Sequence, residues 1–296
     1  MKNILCLYHG DADGEASAAV VRHKLGPEVY LHRINYGDPT PWPLINEADQ
    51  VVIVDFSLPP QEMLETADSS QLTWIDHHQS AIQEMEEISS AWPGIRDTSE
   101  AACVLTWKYY FPDQPVPRAV ILIGDRDIWR WEEPETGAFN EGLYHRDSRP
   151  EHDDLWKPLL ENDQDLLHEI IREGEILYQA RLEKIKRQVD AYGYEVQFEG
   201  FRSLAINVRG NGDLGSRIRE LGYEIGYCYV DVLQEEGLMT KVTLFSDQID
   251  VSKLAQKFGG GGHPGASGFQ FPRNGTPFPS EAEVKKAPGS GPGDHE

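Results

Sequence analysis

A chain of 296 residues, 39% hydrophobic and 26% charged, can form two ordinary domains with a core each, and no apolar run approaches the roughly 20 residues of a membrane helix. Its 50 acidic residues outnumber 27 basic ones for a formal charge of −23, which argues against a protein that grips long nucleic acid by its phosphates. A small anionic substrate held through metal ions remains compatible with that charge.

Residues 3–9, "NILCLYH", read as a strand, and "GEASAAVVRHKLG" as a following helix closed by Gly26. The start has too short an apolar stretch for a signal peptide, so a cytoplasmic protein is expected. The alternation continues through "EVYLHRINYG" (strand), "QVVIVDFS" (a short, nearly continuous apolar run), "PPQEMLETADSS" (helix with proline at its start) and "QLTWIDHH" (strand). Such alternation predicts an α/β domain over residues 1–150, doubly wound around a mainly parallel sheet. Asp97 and Glu100 form a candidate capping box for the helix "SEAACVLTWKYYF", and "PRAVILIGDRDIW" is a buried helix or strand leading to an acidic loop. Leu166, Leu167, Ile170 and Ile171, with Leu182 and Ile185 beyond, recur at helical spacing and predict a helical linker over 151–192. Short strands and one helix, "DVSKLAQKF", then predict a smaller α+β domain over 193–272, and residues 273–296, rich in Pro, Gly and charge, predict a disordered tail. Cys6, Cys103 and Cys228 are far apart and form no CxxC pair, as expected of reduced, buried thiols.

Four clusters end apolar runs of the first domain: "HGDADG" (His9, Asp11, Asp13), "VDFS" (Asp55), "DHH" (Asp76, His77, His78) and "GDRD" (Asp125, Asp127). In an open parallel sheet the strand ends line one crevice, so these clusters should converge. One acidic end can be an Asx turn. Four together repel unless cations lie between them, and this mixture of oxygen and imidazole donors suits two divalent ions of the manganese type. A calcium loop in "HGDADG" fails, because its first position would be His9 and its closing glutamate Val20. A haloacid-dehalogenase reading of "DADG" and "GDRD" leaves "DHH" unexplained. "GGGGHPGASG" permits a main chain pressed against a ligand, with amides to cradle phosphate and His263 as a further donor; it lacks the ending of a P-loop.

Taken in order, "HGDADG", Asp55, "IDHH", "GDRDIW" and "FGGGGHPGASGF" resemble the DHH phosphoesterase superfamily with its glycine-rich DHH-associated C-terminal domain, over about residues 3–272. In size and in "DIW" the chain is most similar to nanoRNases and to short-oligonucleotide or nucleotide phosphodiesterases. The resemblance implies one ion held by His9, Asp11 and Asp55, and a second by Asp13, Asp55, His77 and Asp127, with Asp127 preferred to Asp125. It implies Asp76 as the orienter of the histidines, His78 facing the substrate phosphate, and Gly260, Gly261, Gly262 and His263 as substrate contacts. The expected cofactors are two divalent ions, manganese first and magnesium or cobalt as alternatives. The expected activity is hydrolysis of short oligonucleotides or dinucleotides to 5′-mononucleotides. Its rivals are a cyclic mono- or dinucleotide phosphodiesterase, another small-phosphoester hydrolase, and a non-catalytic nucleotide-binding regulator. Expected partners are the short nucleic acid or nucleotide itself and, as an assembly, a homodimer, with no long duplex and no membrane.

Overall fold

Strand β1 (Ile4–His9) divides its side chains between two cores: Leu5 and Leu7 enter one, Cys6 and Tyr8 the other. It is followed by α1 (Ala12–Leu25), β2 (Tyr30–Ile34), α2 (Trp42–Glu47), β3 (Gln50–Val54), α3 (Pro60–Ser69) and β4 (Gln71–Ile75). The strands form a four-stranded parallel sheet in the order β2-β1-β3-β4. Coverage on both faces explains the apolar run in β3, where Val51, Val52, Ile53 and Val54 are all fully buried. Small residues of α1 (Ala16, Ala18, Ala19) lie against the Cys6 face, whereas Ile45 of α2 and Met63 of α3 lie against the Leu5 face. The chain therefore leaves β1 toward one flank through α1 and reaches the other flank through α2. The strand order reverses between β1 and β3, the position at which open α/β sheets bind ligands.

The computed structural model describes residues 3–235, 237–273, 275–279 and, for the backbone, 283–285. It divides into two units, Met1–Tyr178 and Gln179–Glu296. The first unit continues from β4 with α4 (Gln79–Glu84), α5 (Ala102–Tyr110), α6 (Arg118–Asp127), α7 (Thr136–Tyr144), α8 (Asp153–Leu160) and the front of α9 (Gln164–Tyr192). Leu105, Leu122, Phe139, Trp156 and Ile170 from these helices complete the Cys6 core. Two expectations change here. The capping box is not formed: Asp97 accepts a hydrogen bond from Ser99 N (2.8 Å) in a local turn, Glu100 pairs with Lys108, and the helix starts at Ala102. The linker over 151–192 is not a separate segment, because α8 and the front of α9 are first-unit core and the boundary falls inside α9.

The second unit holds β5 (Tyr194–Phe198), β6 (Phe201–Ile206), α10 (Gly212–Glu220), β7 (Ile225–Gln234), β8 (Gly237–Phe245), α11 (Val251–Lys257), β9 (Gly261–His263), β10 (Ala266–Pro272) and β11 (Glu283–Lys285). These strands make a seven-stranded sheet in the order β11-β5-β6-β7-β8-β10-β9, antiparallel except for the β6–β7 pair joined through α10. Val196, Tyr227 and Phe269 pack with Leu254 of α11 on one face; Leu204 and Cys228 pack with Leu214 of α10 and Ile185 of α9 on the other. Part of the stretch 273–296 is ordered, unlike the tail expected there. Phe278 is buried, the Tyr227 hydroxyl donates to Pro277 O (2.8 Å), and β11 pairs with β5. Residues 286–296 lie outside the described residues. All three cysteines are buried and unpaired, and burial pushes their thiols up. Among the described residues, no helix is long and apolar enough to cross a membrane.

Candidate metal centre

His9 ends β1, and Asp11 follows as the N-cap of α1, its Oδ1 accepting from Gly14 N at 3.0 Å. The helix starts so close to the strand that a Cβ on residue 14 would lie 2.1 Å from His9 O, which explains the glycine of "HGDADG". Asp11 Oδ2 is 2.8 Å from His9 Nδ1, yet that nitrogen makes no hydrogen bond. Close but unaligned, the two atoms are arranged as a pair of donors to a common third atom would be.

Asp55 follows β3 with φ at +55°, a left-handed conformation that turns its carboxylate back over the strand ends while its N–H donates to Ile75 O (3.0 Å). It is buried, and neither of its oxygens has a hydrogen-bond partner. Oδ2 is 3.6 Å from His9 Nδ1 and Oδ1 is 3.2 Å from His77 Nε2, so one carboxylate faces both histidines. His77 Nε2 is also 3.4 Å from Asp127 Oδ2 and 3.7 Å from Asp13 Oδ2. Three groups have ligand atoms close enough to share an ion: His9, Asp11 and Asp55; Asp13, His77 and Asp127; and Asp55, His77 and His78. Asp76, fully buried after β4, accepts through Oδ1 from the N–H groups of His77 (2.8 Å) and His78 (3.2 Å), and the same oxygen is 2.7 Å from His78 Nδ1.

Burial raises the Asp55 carboxyl well above the usual range, and the Asp13 charge adds to it. Burial also raises Asp13, against the pull of His77. The carboxylates of Asp11 and Asp55 push the His9 imidazole up to about 10. Burial is the main cause for the two carboxyls, and crowding of negative charge adds to it, with no lysine or arginine in the three groups. A proton on one carboxyl relieves the repulsion partly; divalent cations relieve it further and favour the ionised carboxylates.

The two aspartates of "GDRD" part company. Asp125 accepts from Glu132 N (2.9 Å), Glu133 N (3.3 Å) and the Thr136 hydroxyl, which folds the loop between α6 and α7. Asp127 faces His77 instead. Asp13 has a second task that no sequence signal announced: its two oxygens accept from Ala102 N and Cys103 N, both at 2.8 Å, and so cap α5. Also unforeseen were the Tyr36 and Phe56 rings, 5.9 and 6.4 Å from the His9 ring, and the Arg126 guanidinium between Trp129 and Trp131. The alternation "RDIWRW" was the available signal for the last of these. Gly260, Gly261, Gly262 and His263 belong to the second unit. Gly261–His263 form an edge strand on β10, and Gly260 N donates to Ala255 O of α11 (2.9 Å), so part of the expected amide cradle is committed to the sheet and to the end of that helix.

No family model matches the chain. An uncharacterized protein of Acanthamoeba polyphaga mimivirus is 28% identical over 233 residues, 75% of this chain and 53% of its own length. The chain thus spans about half the length of the curated relative it matches. Among solved structures, a DHH domain described as a member of a family of ribosomal proteins superposes with a TM-score of 0.55 at 15% identity, covering 90% of this chain and 82% of that one. A protein of Vibrio cholerae described as the pGpG-specific phosphodiesterase PggH superposes with a TM-score of 0.54 at 14% identity, covering 92% and 94%. With its four-stranded parallel sheet, its second sheet, and Asp76, His77 and His78 at the end of β4, the chain shares the fold of these two proteins, the first of them described as a DHH domain.

Proposed function

We propose that the protein is a metal-dependent phosphodiesterase acting on dinucleotides or short oligonucleotides and releasing 5′-mononucleotides. The observation that carries this reading is Asp55: a buried carboxylate with neither oxygen hydrogen-bonded, one facing His9 and the other His77. Such a group is costly unless cations use it. His9, Asp11 and Asp55 would hold one divalent ion, and Asp13, Asp55, His77 and Asp127 a second, manganese being the best match to mixed oxygen and imidazole donors. When bound, such ions supply Lewis-acid stabilisation of phosphoryl charge and make water acidic enough to act near neutral pH.

The protein's own contribution is orientation. Asp76 Oδ1, 2.7 Å from His78 Nδ1, orients the His78 ring, which we assign to the substrate phosphate. Asp13 and Asp11 are rigid because each also caps a helix. The pGpG phosphodiesterase of the same fold favours a small nucleotide substrate over a long polymer, as does the formal charge of −23. The second-unit residues Gly260, Gly261, Gly262 and His263 are proposed as a hold on a remote phosphate. His263→Ala should then keep metal content and lower dinucleotide turnover more than turnover of an aryl phosphodiester.

The test is a hydrolysis panel with manganese: short RNA, short DNA, linear and cyclic dinucleotides, cyclic mononucleotides, pyrophosphate and an aryl phosphodiester. Release of 5′-mononucleotides from linear dinucleotides, abolished by chelation, is expected. Full activity after chelation, or preferred cleavage of the cyclic compounds, would overturn the reading.

A further inference from the structure

A pocket of about 440 Å³ opens beside the metal centre, between the segment after β2 and the segment after β3. That volume lies within the roughly 300–1,000 Å³ of small-ligand sites. Its aromatic wall is Tyr36 and Phe56, whose rings are 4.7 Å apart. The Tyr36 ring is also 6.0 Å from that of His78, so a group in the pocket would be joined to one at the centre by a short linkage. Tyr36 is 55% exposed, so part of it is open to solvent.

The rest of the wall selects the occupant. Among the described residues it carries the carboxylates Asp38, Glu62 and Glu84 and no lysine, arginine or histidine, which rejects phosphate. Ionised carboxylates only accept hydrogen bonds, so a planar group lying on the aromatic wall must present donors at its edge. Asp38 is already engaged by Asn35 through its N–H (2.8 Å) and side-chain amide (3.4 Å). Glu84 is exposed, whereas Glu62 is half-buried and accepts from the Thr40 hydroxyl through one lone pair of Oε2, which leaves both oxygens able to accept another donor. A hydrogen bond to Glu62 is the best sheltered of the three.

We propose that this pocket takes a nucleobase of the substrate, stacked on Tyr36, and that Glu62 selects guanine. Guanine presents two adjacent donors, its ring N1–H and its exocyclic amine, to one carboxylate. Adenine and cytosine present an amine beside an acceptor, and uracil a single N–H between two acceptors. The inference rests on the phosphodiester reading for the position of the phosphate, but the pocket itself can be probed without metal or turnover.

Calorimetric titration of the full chain in chelator with guanosine, adenosine, cytidine and uridine tests the pocket alone, while hydrolysis of an aryl phosphodiester with manganese tests the centre alone. Guanosine should bind best. Glu62→Gln should weaken guanosine roughly tenfold or more and the other nucleosides little. Tyr36→Ala should weaken all four roughly ten- to hundredfold, and Tyr36→Phe should restore most of that loss. Equal binding of all four nucleosides, or binding indifferent to both positions, would overturn the pocket assignment even with the centre active. Nucleoside selection without any phosphodiester hydrolysis would overturn the metal-centre reading and leave the pocket standing.

Discussion

Asp55 joins three unfavourable features, a left-handed backbone, complete burial and two unpartnered oxygens, and together they make it the most informative side chain of the first unit. Each alone would be selected against in a merely structural role. Asp55→Asn keeps the shape and removes the charge, so bound manganese and hydrolysis should fall together, with kcat/KM down by more than about 100-fold. Metal analysis alongside initial rates checks this, and an unaffected variant would refute the bridging role. The aspartates two residues apart in α6 should separate cleanly. Asp127→Asn should lower metal content with little effect on stability. Asp125→Asn should hold its metal but lose about 1–3 kcal/mol in denaturant unfolding, because an amide nitrogen cannot accept from the Thr136, Glu132 and Glu133 donors. The reverse pattern would mean the two roles are exchanged.

Among the elements, α5 depends on a residue 89 positions earlier in the chain. Its first N–H groups, at Ala102 and Cys103, are buried and find their acceptor in Asp13, whereas Ala101 at the N-cap has no side chain to offer. Asp13 therefore couples α1 to α5 whether or not a cation is bound. Asp13→Ala, unfolded in excess chelator so that no metal contributes, should cost about 1–3 kcal/mol for the two stranded donors. Asp127→Ala under the same conditions removes a carboxylate from the same group without removing a cap, and relief of repulsion should leave stability unchanged or higher. Equal losses in the two variants would show that Asp13 has no capping role.

For the molecule as a whole, the two units have separate cores. The candidate ligands His9, Asp11, Asp13, Asp55, His77 and Asp127 all fall in Met1–Tyr178. A ligand that binds only the native form stabilises the unit that holds it, by about 2.7 kcal/mol at a hundredfold excess over Kd. Manganese at that level should raise the melting of the first unit by roughly 5–10 °C. A reporter in the second unit, such as tyrosine absorbance changed by Tyr227→Phe, should move less. Calorimetry with and without metal checks the shift, and no shift for the first unit would argue against cation binding there.

The parts legible in the sequence depend on neighbours a few residues apart. The apolar run "QVVIV" implies a strand covered on both faces, proline and glycine mark helix ends, and acidic residues ending successive strands imply a shared edge. The preference for Asp127 over Asp125 came from the family resemblance, through the aromatic that follows it; Asp127 lies 3.4 Å from His77 Nε2. What the sequence left open, or pointed to wrongly, depends on pairings across the chain. The box expected of Asp97 and Glu100 failed because Asp13 reaches α5 from another helix and supplies the acceptor that a local cap would have supplied. The residues 151–192 looked like a bridge because helical spacing reports a buried stripe without naming the core that buries it. The Tyr36–Phe56 pocket had no signature at all: its walls follow β2 and β3, which lie on either side of β1. Local patterns set which residues are strand, helix and charge; the order in which strands pair, settled by burial over the whole sheet, determined which of them meet.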